Sequence, residues 1–250
     1  MRKKIMPVSF LFLVLLSLFL TVSIASADPV DDLLDYYVSR FNVEKGLITV
    51  DRQPDDTGLF SDVYMKLDGL MVEGLRIDTV EVRMKGVQFN EPSQWKSGNV
   101  ECKSAISVQA VAEIFEKDIN NAIASKTFGD NGNEWHDLAL VIKPSGLSGK
   151  GYYNAKVGFL DLDILIEITS GLRIVKGKEL WLKDPQVKIN RLDLPDYVTK
   201  QALSKIQPLV SLNDFPLPLT LHKVELKQGS AVLSSRNLPK PLTEGQTYTK

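Results

Sequence analysis

The stretch from Ser107 to Lys126, SVQAVAEIFEKDINNAIASK, constrains the fold most, because its apolar residues recur with a helical period over a long span. At about 100° per residue, Val108, Val111, Ala112, Phe115, Ile119, Ala122 and Ile123 fall within an arc of roughly 120°. Glu113, Glu116, Lys117, Asn120 and Asn121 lie outside that arc. Ser107 is placed to cap the first turn, and Lys126 brings positive charge to the negative end of the helix dipole. Strand-like runs flank this segment. An amphipathic helix inside a β-rich chain must bury its stripe against a sheet.

The opening of the fold reads as a helix as well. Asp28 is the cap, Pro29 holds the first helical position, and Val30, Leu33, Leu34, Tyr37, Val38 and Phe41 form the apolar face. Strands follow over 47–52, 60–67 and 76–85, where Val80, Val82 and Met84 share one face and Thr79, Glu81, Arg83 and Lys85 the other. Ile77 is out of phase with them, which predicts a β-bulge before Val80. Further strands are expected over 135–143, 147–157, 160–169, 172–176, 179–183 and 187–192, antiparallel to their neighbours because the turns are short. In LDLDILIEIT, Leu160, Leu162, Ile164, Ile166 and Ile168 point one way and Asp161, Asp163, Leu165, Glu167 and Thr169 the other. Pro195 to Ile206 reads as a second flanking helix stopped by Pro208. A last hairpin begins near Leu219 and Leu221, slips phase near His222-Lys223, and turns at Gln228-Gly229-Ser230. The expected fold is therefore α+β: about ten strands in a long, strongly curved antiparallel sheet wrapped around a central amphipathic helix, with flanking N- and C-terminal helices.

The N-terminal region is set apart from this fold. Arg2, Lys3 and Lys4 precede an apolar run from Pro7 to Ala25 that ends in Ala25-Ser26-Ala27, the pattern of a secretory signal peptide. An uncleaved N-terminal anchor is the alternative, since about 19 apolar residues approach the length of a membrane span. Either reading exports the body of the protein, to the periplasm or cell envelope. The expected organisation is residues 1–27 as leader, 28–236 as one domain, and 237–250 as a disordered tail with little to bury.

Without the leader the chain keeps 27 basic and 31 acidic residues, a formal charge of −4, which speaks against nucleic acid as a partner. Cys102 is the single cysteine, so no internal disulfide forms, and it reads as an inert, partly buried thiol. The sequence has no G-x-S-x-G, H-E-x-x-H, Walker lysine or G-x-G-x-x-G motif. His136 and His222 make no zinc signature, so no metal and no cofactor are expected. His136 stands beside Asp137, but adjacent strand residues face opposite sides, and Asp161, Asp163 and Glu167 are explained as a solvated outer face. Trp95 and Trp135 read as partly buried aromatics, with rim or interface positions as the alternative.

Three stretches carry a resemblance: GLRIDTVEVRMKGVQFN (Gly74 to Asn90), VECKSAISVQAVAEIFEKDIN (Val100 to Asn120) and DFPLPLTLHKVELKQGSAVLSS (Asp214 to Ser235). With the opening helix, the order of elements resembles the LmeA-like phospholipid-binding proteins of bacterial envelopes, which look related to the tubular lipid-binding, BPI-like fold. The likeness lies in hydrophobic spacing, glycines and a Leu-Pro near the end, and it brings no catalytic residue. It implies a curved sheet around a long helix with acyl chains held between them.

The functional expectation is an exported, non-catalytic phospholipid-binding protein that touches the membrane surface to maintain or transfer envelope lipid. The expected lining comprises Val80, Val82, Met84, Val111, Phe115, Ile119, Leu160, Leu162, Ile164, Ile166, Leu219 and Leu221. Two other classes remain open. One is a structural or protein-interaction module of the envelope, with the concave space filled by side chains. The other is a lipid-processing enzyme, which requires Asp161, Asp163 and His136 to converge.

Overall fold

Asp28 sits in extended conformation and its Oδ1 accepts from the Val30 N–H at 3.0 Å, which starts helix α1 (Pro29–Phe41) as the sequence predicts. Asn42 ends the helix in the left-handed region, its N–H turned back to the carbonyls of the last turn. Val30, Leu33, Leu34 and Tyr37 recur at i, i+3, i+4 and i+7 and are all buried. At about 1.5–3 kcal/mol for each large apolar side chain, that face contributes roughly 6–12 kcal/mol before ordering entropy is counted.

The structure is a computed structural model. It describes residues 28–250 apart from Glu73, 125–127, 131–132, 158–159, 194–207 and Asp214, and at 128–130, 133–135, 155–157, 160–162, 193 and 210 the backbone alone. The helix expected over Pro195–Ile206 lies outside the described residues.

Beyond α1, the chain is mostly antiparallel strand. The first sheet contains β1 (Lys45–Val50), β2 (Leu59–Val72), β3 (Leu75–Phe89) and β4 (Cys102–Phe115), with a 3₁₀ turn over Pro92–Ser97 between the last two. Helix α2 (Glu116–Ala124) leads to the second sheet, made of β5 (Phe128–Asp130), β6 (Asn133–Lys143), β7 (Gly146–Val157), β8 (Leu160–Val175), β9 (Glu179–Ile189), β10 (Leu192–Asp193) and β11 (Val210–Ser211). The chain then returns to the first sheet with β12 (Lys223–Lys227), β13 (Ser230–Ser234) and β14 (Gln246–Thr249). The first sheet runs β12-β13-β4-β3-β2-β1-β14; the second runs β10-β9-β8-β7-β6-β5, with β11 on β9. Two seven-stranded sheets thus take the place of the single sheet wrapped on a helix.

The central correction concerns Ser107–Phe115, which is strand rather than helix; α2 starts only at Glu116. A spacing of four residues fits both periods, so the recurrences 108/112 and 111/115 satisfy a strand as well as a helix. In the fold this segment lies between two partners, with Ala110 opposite Val82 and Ala112 opposite Leu233. Ladder bonds on both sides, together with the β-branched Val108, Val111 and Ile114, outweigh an isolated helical period.

Three smaller expectations change too. The β2–β3 register runs unbroken past Ile77, and the left-handed Gly69 (φ +68) stands between the paired Asp68 and Leu70 there in place of a bulge. The phase change near His222 arises because β12 begins at Lys223 and Leu219 and Leu221 precede it. The tail expected to be disordered from Asn237 ends in β14, which pairs with β1 from Leu47↔Thr249 to Val50↔Gln246. Tyr248 donates to Asp28 Oδ2 at 2.6 Å, and the Lys250 ammonium reaches Asp31 at 3.3 Å and Asp35 at 3.0 Å. The final strand therefore covers a sheet edge and fastens the start of α1.

The main core lies between α1 and the inner face of the first sheet. Phe60, Phe89 and Trp95 meet there with ring centroids 5.9–6.0 Å apart, and the indole N–H donates to the Asn90 carbonyl and side-chain oxygens. Trp95 is therefore a fully buried core residue, not a rim or partly buried aromatic.

The second sheet joins the first along a hydrogen-bonded seam. Asn120 Nδ2 donates to the Leu140 carbonyl at 2.8 Å while its Oδ1 accepts from the Leu140 N–H at 2.7 Å. Glu116 Oε2 accepts from the Ile142 N–H at 2.6 Å, and the Gly229 N–H donates to the Ile142 carbonyl at 3.0 Å. Side chains of α2 thus act as the missing neighbour of β6 where β5 has ended.

Candidate functional site

The inner faces of both sheets carry apolar side chains, and these group into three clusters with different degrees of closure. In the first sheet, twenty described residues form a sealed core that includes Val80, Val82, Met84 and Leu219. A slit lined by Tyr37, Phe41, Val80, Val82, Phe215 and Leu217 encloses only about 10 Å³, room for about one water molecule. The face expected to hold acyl chains here is already filled by α1 and the segment around Phe215–Leu219.

The second cluster straddles the seam. Ile114, Leu180 and Leu233 are buried in it, with Ile119, Leu221, Leu172 and Ile174 packed around them. It carries apolar contact from one sheet to the other.

The third cluster, on the second sheet, is the least closed. Only Leu147, Leu182 and Val187 are buried, and Leu140, Ile166, Ile168 and Leu172 pack against them half-buried. Ile164 stands two residues before Ile166 on the same face and is half-buried as well. Opposite Ile166 and Ile168 in β7 stand Gly151 and Gly149; Leu138 leans over Gly151, where a Cβ would lie 2.3 Å from its Cδ2, and Ile168 packs onto Gly149. The side chains of Leu160 and Leu162 lie outside the described residues.

Val111 and Phe115 leave the expected site altogether. In a strand they share a face with Glu113, so they point to the outer side of the first sheet. Val111 lines an outer groove there, and the Lys117 ammonium lies 5.3 Å from the Phe115 ring centroid. Of the expected lining, the structure keeps Ile164 and Ile166 on a partly open apolar face and places Ile119 and Leu221 at its inner end. Leu140, Leu147, Leu172, Leu182 and Val187 belong beside them. For Leu140 and Leu182 the signal was the alternation in DLALVIK and ELWLK, two strands recognised for their period but not for the wall they share with β8.

Among the described residues the titratable groups form no site on this face. His136 and Asp137 do touch, Nδ1 to Oδ2 at 3.1 Å, because Asp137 takes a positive φ of 51° at a break in the β6–β7 register. Simple strand alternation fails at that point. The other ring nitrogen, Nε2, lies 3.3 Å from Asp163 Oδ1, and Tyr152 stacks on the ring. His136 and Asp163 thus share the outer face, and Asp161 lies outside the described side chains. The hydrogen bonds from Asp137 and then Asp163 raise the His136 pKa. Both ring nitrogens face carboxylate oxygens, and among the described residues no group of three or more His, Cys, Asp or Glu side chains is placed to hold a metal ion. Burial pushes the Cys102 thiol up to about 11, which leaves little thiolate at neutral pH. Among the described residues no helix is long and apolar enough to cross a membrane.

The described structure is mostly antiparallel sheet with no closed barrel, and its apolar side chains gather in three clusters, the first sealed and the one on the second sheet half-covered. The family model for LmeA-like phospholipid-binding proteins matches residues 57–235, which takes in the second sheet and all of the first except β1 and β14, and the chain belongs to that family. Comparison with curated proteins and with solved structures returned no match.

Proposed function

We propose that this is an exported, non-catalytic phospholipid-binding protein of the cell envelope, which holds acyl chains against the inner face of the second sheet. The observation that carries this reading is the contrast between the two inner faces. Twenty described residues are buried in the first sheet's core, against three in the β6–β9 cluster. There the aliphatic wall of Ile164, Ile166 and Ile168 stays half-buried, with Tyr153 opposite the first and glycines opposite the other two. Covering it with hydrocarbon gains about 0.8 kcal/mol per buried methylene, so even part of a lipid tail binds appreciably. Family membership supports lipid as the ligand. The basic-apolar leader over residues 1–27 supports export, and the membrane surface is the place where lipid is picked up or delivered.

Native mass spectrometry of the full chain after detergent-free purification tests the proposal. A bound phospholipid, with binding weakened by substitution of Ile166, is the expected result. A protein that carries no lipid and ignores phospholipid vesicles overturns it.

A further inference from the structure

We propose that a hollow at the β6–β7 turn binds a phosphate group, and that in the lipid-bound protein this is the phosphate of the head group; that second part rests on the lipid-binding reading above. The hollow has a volume of about 430 Å³ and is built by the cross-strand register. Lys143 stands opposite Gly146, and Gly171 stands opposite Lys183. Since Leu147 pairs with Ser170, Gly146 and Gly171 occupy the next position between them. One row across four strands thus reads Lys, Gly, Gly, Lys. The two lysines start about 14 Å apart at the usual strand spacing, and their flexible stems lean over a floor without side chains.

The row two residues further along the same face supplies hydroxyls, with Ser148 opposite Thr169. Gly146 cannot be replaced without loss of this shape: its φ is +149°, and a Cβ there would lie 2.9 Å from the Ser170 carbonyl oxygen. Among the described residues neither Lys143 nor Lys183 has a carboxylate within ion-pair distance, and the Ser148 and Thr169 hydroxyls have no protein partner. Two free ammonium groups and two free hydroxyls around one hollow suit the charge and acceptor oxygens of a phosphate.

The larger outer groove of the first sheet, about 660 Å³, differs: Arg236 is the one lysine or arginine of its lining without an ion pair among the described residues. Its Lys66, Lys223 and Lys227 are each paired with a carboxylate, from Asp68, Glu225 and Glu113 respectively. Leu147 and Ser148 are neighbours on β7 and face opposite sides, so the hollow lies on the outer face behind the proposed acyl wall, and a lipid reaches both round the β6–β7 turn. Asp184 also lines the hollow, and its carboxylate opposes an anion. The site therefore makes a prediction of opposite sign: removing that charge tightens binding.

The test uses the full chain with three probes: inorganic phosphate, sn-glycerol 3-phosphate, and phosphatidylglycerol vesicles, with K143Q, K183Q, D184N and I166A variants. Each lysine variant is expected to weaken the glycerol phosphate titration about fivefold, and D184N to strengthen it by a similar factor. I166A leaves that titration unchanged. If the lysine variants also weaken lipid uptake, the phosphate is that of the head group. If they weaken the soluble probes and spare lipid uptake, the hollow serves a free phosphate and the head-group assignment falls. If wild type retains no lipid but binds glycerol phosphate, the acyl-face reading fails while the hollow stands. Soluble probes and lipid that are indifferent to all three charge variants overturn the site.

Discussion

Truncating Ile166 and Val82 to alanine separates a ligand face from a sealed core. Ile166→Ala removes three carbons, worth about 2.4 kcal/mol if they were fully out of water. The side chain is half-buried within the protein, so about half of that is expected as lost folding stability. The other half, about 1.2 kcal/mol, is realised only when a tail covers it, and corresponds to about a sevenfold loss of lipid affinity. Val82 is 3% exposed inside the first sheet's core. Its truncation is expected to cost about 2 kcal/mol of stability, including the cavity, and to leave lipid affinity unchanged. Urea unfolding gives the first quantity for each variant and a fluorescent phospholipid titration the second. Equal loss of affinity in both variants, or none in Ile166→Ala, refutes the assignment of the acyl site to the second sheet.

Other expectations follow from single contacts. Arg76 joins Glu44, Asp78 and Asp118, and only Asp118 is buried, so Arg76→Ala strands its carboxylate and costs about 1–3 kcal/mol, whereas Glu44→Ala costs less; chemical denaturation ranks the two. Burial raises Tyr37 and Tyr64 far above the usual phenol range, and burial with the Asp28 contact pushes Tyr248 up to about 12. For a group whose pKa is raised by folding, the stabilisation is complete below the unfolded value near 10 and is lost as pH rises towards the folded value. Stability is therefore expected to fall between about pH 10 and 12, with a shallower fall in Tyr248→Phe, as pH-dependent thermal melts would show. The His136 pKa is expected above the ordinary histidine value of about 6.5 by NMR titration, and Asp163→Asn lowers it. Deleting residues 246–250 exposes the β1 edge, and amide exchange is expected to speed up at Leu47–Val50 and at the start of α1.

Local signals made part of this structure legible. The Asp-Pro start and the apolar face of α1, the alternation of β3 and β8, and the turn at Gln228-Gly229 were all readable because neighbours in sequence decide them. Ser107–Phe115 was not, since its identity depends on pairing with β3 before it and with β13, a strand more than a hundred residues further along the chain. That one misreading moved Val111 and Phe115 from the lining to the outer face. The tail was misjudged for a similar reason: Gln246–Thr249 has little apolar surface, and its order comes from backbone pairing with β1 and from Tyr248 and Lys250. The aliphatic wall of β8 was visible in sequence, but which wall stays open was not. That depends on α1 filling the first sheet and on Gly149 and Gly151 lying opposite Ile168 and Ile166.

The most direct measurement is photo-crosslinking with a phospholipid that carries a reactive group along its acyl chain, mapped by peptide mass spectrometry on the full protein. Adducts concentrated on β6, β7 and β8, around Leu140, Ile164 and Ile166, are the expected result. Adducts on Tyr37, Val82 or Val111 instead, or none above a non-lipid protein control, contradict a lipid site on the second sheet.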